Sequence, residues 1–378
     1  MSRRRLWVAL VEGTLAQWLQ KVRNDFPYRD GWVYLQSAGA GLAFPGAAAA
    51  AGQYYVDVAA LGCDAQPLWH RPAQSALQRA SKLLDVPSED VGFFRNTSEV
   101  INIAANSFQW REGDEIVVMA DEYPCNILAW TSAVEQGAKL VQLTPGAAAE
   151  REDQMLAAIN ERTRAVSVAH VHPWTGTKVN LTRLGQACRE VDALLIVDGI
   201  QALGATEVDL SYVDVYGAGT FKWLMSGFGN AIGVFRERAR EQLTPIFRSY
   251  ANRPPSKGFN YAAPNIPGLY VLDATLAYLD ELGWDRIHRQ IEVLTDRAFT
   301  VLRDAGIEPV TPHHSRGGIV GFDVADSTRT AADFQDRQVS VSDKEGRILI
   351  SPHFYNTEAD IDRFGEALSD IMAAGDVR

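Results

Sequence analysis

Asp198 closes an apolar run that ends in Ile196-Val197, and Lys222 follows the glycines behind a second apolar run, Val213 to Tyr216. Continuous apolar runs of this kind read as buried parallel strands, and open α/β sheets hold their ligands at the carboxyl ends of such strands. A carboxylate at one strand end and an amine just past the next can face each other across a small planar molecule. Pyridoxal phosphate suits that geometry. A buried carboxylate keeps its pyridine nitrogen protonated, so that the ring can withdraw electrons from a substrate, and a lysine holds its aldehyde as a Schiff base. A helix-capping Asp and a solvated Lys would give the same two letters, so the pair needs further parts beside it.

Other strand ends supply them. Arg95-Asn96-Thr97-Ser98-Glu99 follows the run Val91–Phe94 and opens a helical pattern; the free N–H groups of a first helical turn, joined by the Thr97 and Ser98 hydroxyls, make an anion site, and a plain Ser/Thr cap is the alternative. Asp121 to Asn126 follows the next strand, and Tyr123 there can lie flat on a heterocycle or be an ordinary half-buried loop tyrosine. Gln201, three residues past Asp198, can donate to a phenolic ring oxygen or stand as a surface amide. His170 and His172 in the HVHPWTG run end another strand, and His172 is a candidate acid/base, with a structural histidine as its rival.

The elements that must position these residues are legible from their periodicity. Apolar runs at Val91–Phe94, Ile116–Met119, Leu140–Leu143, Ala165–Ala169, Leu194–Val197, Val213–Tyr216 and Ala231–Phe235 alternate with amphipathic stretches. That is the pattern of an α/β fold with a mostly parallel doubly wound sheet covered by helices on both faces. A short strand at Trp32–Leu35 and the Gly/Ala-rich segment 36–46 precede it, the latter able to approach another group closely. After Arg236, five prolines punctuate an irregular connection. Helices at Leu272–Leu282 and Trp284–Ala305, strands at Ile319–Val324 and Ile348–Ser351 and a last helix at Glu358–Met372 then predict a smaller α+β domain. The expected organisation is an N-terminal segment, 1–30, with a helix at Leu6–Val22 packing on the small domain; a large cofactor domain, 31–250; and the connection with the small domain, 251–378.

With 378 residues and 47% hydrophobic content the chain can bury a sizeable core, and its net charge of -11 argues against a nucleic-acid partner. Cys63, Cys125 and Cys188 show no metal-ligand spacing, so no metal is expected, and reduced thiols fit a cytoplasmic protein. Arg3, Arg4 and Arg5 lead into a pattern broken by Glu12 rather than into a cleavage site, and no run is long enough to span a membrane.

Five motifs stand in an order that resembles the class V aminotransferases of the fold type I pyridoxal phosphate enzymes, in the branch of cysteine desulfurases and isopenicillin N epimerase-like proteins. They are RNTSEV, DEYPCNILAW, VDGIQALG, KWL after Lys222, and ISPHFYNTEADID, and together they cover roughly residues 32–370. The resemblance implies Lys222 for the Schiff base, Asp198 for the pyridine nitrogen, Gln201 for the phenolic oxygen, Tyr123 for stacking, Thr97 and Ser98 for phosphate, and a homodimer with the site near the subunit interface. Departures accompany it. Relatives often carry Ser-x-His-Lys where this chain has Gly219-Thr220-Phe221-Lys222, so Thr220 is expected to replace part of the phosphate contact. Ala262-Ala263-Pro264-Asn265 stands in place of a Gly-Thr-Pro-Asn run. The usual carboxylate-binding arginine is Leu349 here, which makes Arg347, two residues back on the same strand face, the candidate for the substrate.

These parts predict an enzyme that joins an amino acid or small amine through pyridoxal phosphate and moves a proton at Cα with Lys222 as base. The nearest resemblance implies epimerase or lyase chemistry; cysteine desulfurases use a mobile cysteine in the small domain, and since all three cysteines here precede residue 200, persulfide-forming desulfuration is not expected. Transamination is the alternative, and a catalytically inactive cofactor-binding homologue the second.

Overall fold

The computed structural model describes residues 15–254 and 258–374. Arg3 to Arg5, the first part of the helix expected from Leu6 and Pro255 lie outside these residues, and 15–25 is helical. A short strand, β1 (Val33–Tyr34), is followed by helices α1 (Ala47–Leu61) and α2 (Gln66–Leu84). The alternating part then runs β2 (Val91–Phe94), α3 (Thr97–Asn106), β3 (Glu115–Met119), α4 (Pro124–Leu128), α5 (Thr131–Glu135), β4 (Lys139–Leu143), α6 (Arg151–Ala158), β5 (Thr163–Ala169), α7 (Leu181–Glu190), β6 (Leu194–Asp198), β7 (Val215–Gly219), β8 (Ala231–Phe235) and α8 (Glu237–Gln242).

Strands β2 to β8 form one seven-stranded sheet in the order β2-β8-β7-β6-β5-β3-β4. Only β8 runs antiparallel to its neighbours, and the other pairings are parallel. Alternation along each strand sends side chains to opposite faces. In β6, Leu195 and Val197 join the core layer of Val117, Met119, Val166, Val168 and Tyr216, while Leu194 and Ile196 join Ile101, Ile116, Trp130 and Val215 on the other side. Burial on both faces explains why these strands read as unbroken apolar runs.

The remainder is α9 (Ile266–Leu282), α10 (Trp284–Asp304), β9 (Val320–Asp323), α11 (Ser327–Asp336), β10 (Val339–Ser340), β11 (Ser342–Lys344), β12 (Arg347–Ile350) and α12 (Glu358–Ala373). Strands β11-β12-β9 make an antiparallel sheet, whose core contains Phe299, Phe322, Phe334, Ile348, Ile350 and Phe364. Strand β1 does not extend the large sheet. It pairs in parallel with β10, and Ser351 N–H donates to Leu35 O at 2.8 Å. From the leading helical segment, Trp18 Nε1 donates to Leu282 O at 3.1 Å and its ring lies 6.3 Å from that of Phe354. Residues 15–35 are therefore tied to the C-terminal part of the chain.

Candidate active site

The carboxyl ends of β2, β3, β5, β6 and β7 converge on one cavity of about 120 Å³, lined by Thr97, Ser98, Tyr123, Cys125, Asp198, Gln201 and Lys222 among others. Parallel strands make this unavoidable, because each of those strands presents its final residue or the following loop to the same edge of the sheet. Asp198 is the last residue of β6. Its Oδ1 accepts from the Ile200 N–H at 3.0 Å and its Oδ2 from the Cys125 thiol at 3.7 Å. Lys222 sits past the end of β7, where the loop is held by Ser226 N–H donating to Thr220 O at 3.0 Å and Met225 N–H donating to Lys222 O at 3.1 Å.

Burial governs the charges. It raises the Asp198 carboxyl above its ordinary range, a shift opposed by the Ile200 amide, by Lys222 and by hydrogen bonds from Cys125 and Asn126. It also lowers the Lys222 amine to about 8, with Asp198 and Cys125 acting in the opposite sense. An amine at that value is neutral in an appreciable fraction near neutral pH, which condensation with an aldehyde requires. The groups that donate to Asp198, the Ile200 amide and the Cys125 thiol, are uncharged, as is the Asn126 side chain beside them. A protonated ring nitrogen supplies the charge-assisted donor that such a buried carboxylate lacks, so the residues fit pyridoxal phosphate.

The flanking groups agree with that fit. Asn96 caps α3 by accepting from Glu99 N–H, which leaves the Thr97 and Ser98 amides in the first turn, without intrahelical acceptors. The Thr97 hydroxyl oxygen accepts the Gly219 N–H at 2.9 Å and keeps its own proton to give. Tyr123 is 44% exposed, with its ring 5.8 Å from that of Trp174. Gln201 is fixed at both ends, Nε2 donating to Ala38 O at 3.0 Å and Oε1 accepting from Trp223 Nε1 at 3.0 Å. Its second Nε2 hydrogen remains for a ring oxygen.

Three expected residues lie elsewhere. The Thr220 hydroxyl donates to Asn230 O at 3.1 Å and is not among the groups that line the cavity. His172 is fully enclosed; its Nδ1 meets Thr175 Oγ1 at 2.9 Å and its Nε2 meets Asp121 O at 3.0 Å. Burial, and then Arg151, hold it down to about 3, which makes it a neutral structural tie and no acid/base. Arg347 stands opposite Asp323 in the β9–β12 ladder and donates to it at 2.8 Å, away from the cavity lining. Leu349 is buried.

Sequence reasoning missed the residues behind Asp198. Cys125 lines the cavity, and Asn126 and Glu122 are buried beneath it, with Asn126 Nδ2 donating to Glu122 Oε2 at 2.9 Å. Glu122 precedes the helix, whose N-cap Tyr123 is extended, so no helical spacing pointed to the pair.

A family model described as Aminotransferase class-V matches residues 33–364. Among curated relatives, a probable cysteine desulfurase of Methanothermobacter thermautotrophicus is 25% identical over 81% of this chain and 85% of its own length, and the isopenicillin N epimerase of Amycolatopsis lactamdurans is 30% identical over 79% and 84%. The solved structure of the cysteine desulfurase from Thermococcus onnurineus superposes with a TM-score of 0.83 at 20% identity, covering 94% of this chain and 98% of that one. The similar proteins are for the most part named cysteine desulfurases. This overturns the expectation of an epimerase or lyase from which desulfuration is excluded: the position of the cysteines in the sequence does not justify that exclusion.

Proposed function

The chain belongs to the class-V aminotransferase family, and on that premise we propose that it is a pyridoxal phosphate-dependent enzyme that withdraws sulfur from an amino acid of the cysteine class. The names of its relatives support the substrate, and the observation that carries the site is the buried Asp198 with uncharged donors across the cavity from Lys222. Bound pyridoxal phosphate supplies an aldehyde that condenses with amines and a ring that withdraws electrons from the substrate Cα.

This chain's own residues do the rest. Asp198 would hold a positive charge on the ring nitrogen, and the first turn of α3 with Thr97 and Ser98 would receive the phosphate. Tyr123 would cover the ring and Gln201 would donate to its oxygen. Lys222 Nζ would anchor the aldehyde and serve as the base that takes and returns the Cα proton, a role suited to an amine lowered to about 8. With a small thiol as the sulfur acceptor the overall change balances as cysteine plus two thiols giving alanine, hydrogen sulfide and one disulfide.

A second copy of the chain is part of this reading. Phe228 is 72% exposed and stacks at 4.1 Å on Phe221, which lines the cavity, and Phe247 and Tyr250 are exposed as well. A homodimer covering these rings would shield the site. The proposed compartment is the cytoplasm, where the three unpaired cysteines stay reduced.

The test is incubation with L-cysteine and excess dithiothreitol, with sulfide and alanine measured together. Equal amounts of both, absent in Lys222→Ala, are expected. A keto acid without sulfide indicates amino-group transfer, the reading that the family description itself favours as second, and contradicts the first.

A further inference from the structure

The structure brings a donor to each oxygen of Asp198. Oδ1 accepts the Ile200 N–H at 3.0 Å, and Oδ2 accepts the thiol of Cys125, the second residue of α4, at 3.7 Å. The residues on either side of the thiol fix its place. Glu122 accepts the Ala169 N–H at the end of β5, 3.2 Å away, Asn126 Nδ2 donates to Glu122 Oε2 at 2.9 Å, and Trp130 Nε1 donates to Asn126 O at 2.9 Å. Glu122, Asn126 and Trp130 are all buried, so the turn that carries Cys125 is anchored on both sides.

A thiol has one proton to give, and two acceptors stand 3.7 Å from this one, Asp198 Oδ2 and Asn126 Oδ1. The carboxylate, when ionised, is the stronger of the two. Burial first, and then Asp198, raise the thiol above its ordinary value. The sulfur therefore keeps its proton at neutral pH, which makes Cys125 a donor and a poor nucleophile. Its place in the cavity agrees with that role: it stands with Asp198, at the end that takes the ring nitrogen, while the substrate is joined at the end served by Lys222.

We propose that Cys125 is a positioning residue whose S–H holds Asp198 Oδ2, as the Ile200 amide holds Oδ1, and so keeps the carboxylate turned toward the ring nitrogen of the cofactor. The inference rests on the reading of this cavity as the cofactor site. A carboxylate oxygen has two lone pairs, so one donor on each leaves room for the ring nitrogen. That nitrogen then meets an acceptor ordered before it arrives, and less freedom is lost on binding.

The experiment is a titration of pyridoxal phosphate into the full chain stripped of cofactor, followed by the absorbance of bound cofactor, for wild type, Cys125→Ala, Cys125→Ser, Asp198→Asn and the double variant Asp198→Asn/Cys125→Ala. Cys125→Ala is expected to bind about fivefold more weakly, the order of one net hydrogen bond. Cys125→Ser restores a donor in a side chain nearly as small as alanine and should bind within about twofold of wild type. In the Asp198→Asn background Cys125→Ala should lose less than about twofold more, because its effect runs through the carboxylate. Equal losses in Cys125→Ser and Cys125→Ala, or a loss of full size in the Asp198→Asn background, overturn the proposal. So does an added sulfur atom on the Cys125 peptide after incubation with L-cysteine, which would make the thiol a sulfur acceptor. Should Asp198→Asn bind too little cofactor to titrate, the contrast between Cys125→Ser and Cys125→Ala decides alone. A wild type that binds no cofactor overturns both this inference and the site on which it rests.

Discussion

Gly41 lies against the carbonyl of Lys222 so closely that a methyl group on its Cα would stand 2.1 Å from Lys222 O. Its amide donates to Phe221 O at 3.0 Å, so the Gly/Ala-rich segment is a strap across the loop that carries the reactive amine. Gly41→Ala must push that loop aside, at a cost of about 1–3 kcal/mol. Cofactor occupancy, read from the visible absorbance of the purified protein, is expected to fall together with the melting temperature. Unchanged occupancy would detach the strap from the site.

Gln201 satisfies two buried groups, the Ala38 carbonyl and the Trp223 indole N–H. Gln201→Leu strands both, and each buried polar group left unpaired costs about 1–3 kcal/mol. Chemical denaturation should register that loss even in protein stripped of cofactor, which separates the structural role from any contact with the ring.

Arg347 is held by an exposed partner, Asp323, and surface pairs of this kind contribute about 0–1 kcal/mol. Arg347→Ala is therefore expected to leave stability and kcat/KM within about threefold of wild type, roughly 0.6 kcal/mol. A KM raised tenfold or more with kcat unchanged would instead make it a substrate ligand.

His170, His172 and His353 are each held down to about 3, first of all by burial. A histidine depressed in the folded state contributes stability that is fully present above its ordinary value near 6.5 and is lost as pH falls toward 3, because the unfolded chain takes up protons that the folded one refuses. The slope approaches about 1.4 kcal/mol per pH unit for each such group. Raised carboxylates such as Glu122 act in the opposite direction, so the measurement is a comparison: His172→Gln should flatten the fall in melting temperature between pH 6.5 and 5. An unchanged slope would mean that His172 is protonated in the folded protein.

The fold was legible wherever burial on both faces imposed long apolar runs, which is why the strands from Val91 to Phe235 could be read within three residues of their ends. Strands β10 and β11 were not, since two or three residues including Ser340, Ser342, Asp343 and Lys344 carry no apolar period, and the partner of β1 lies some three hundred residues away. Asp198, Lys222, Tyr123, Gln201, Thr97 and Ser98 line one cavity because each lies at or just past the end of a strand that ends at the same sheet edge. Position at a strand end does not say where a side chain turns. The ring of His172 and the hydroxyl of Thr220 turn to carbonyls inside the protein, and the Glu122–Asn126 pair, behind the cavity wall, had no apolar pattern to announce it.

The central claim is that Lys222 carries the cofactor opposite Asp198. Borohydride reduction of the protein loaded with pyridoxal phosphate, followed by peptide mapping, tests it most directly. A single pyridoxyl group on the peptide containing Lys222, absent in Lys222→Ala, is the predicted result; a pyridoxyl group on another lysine, or on none, would contradict it.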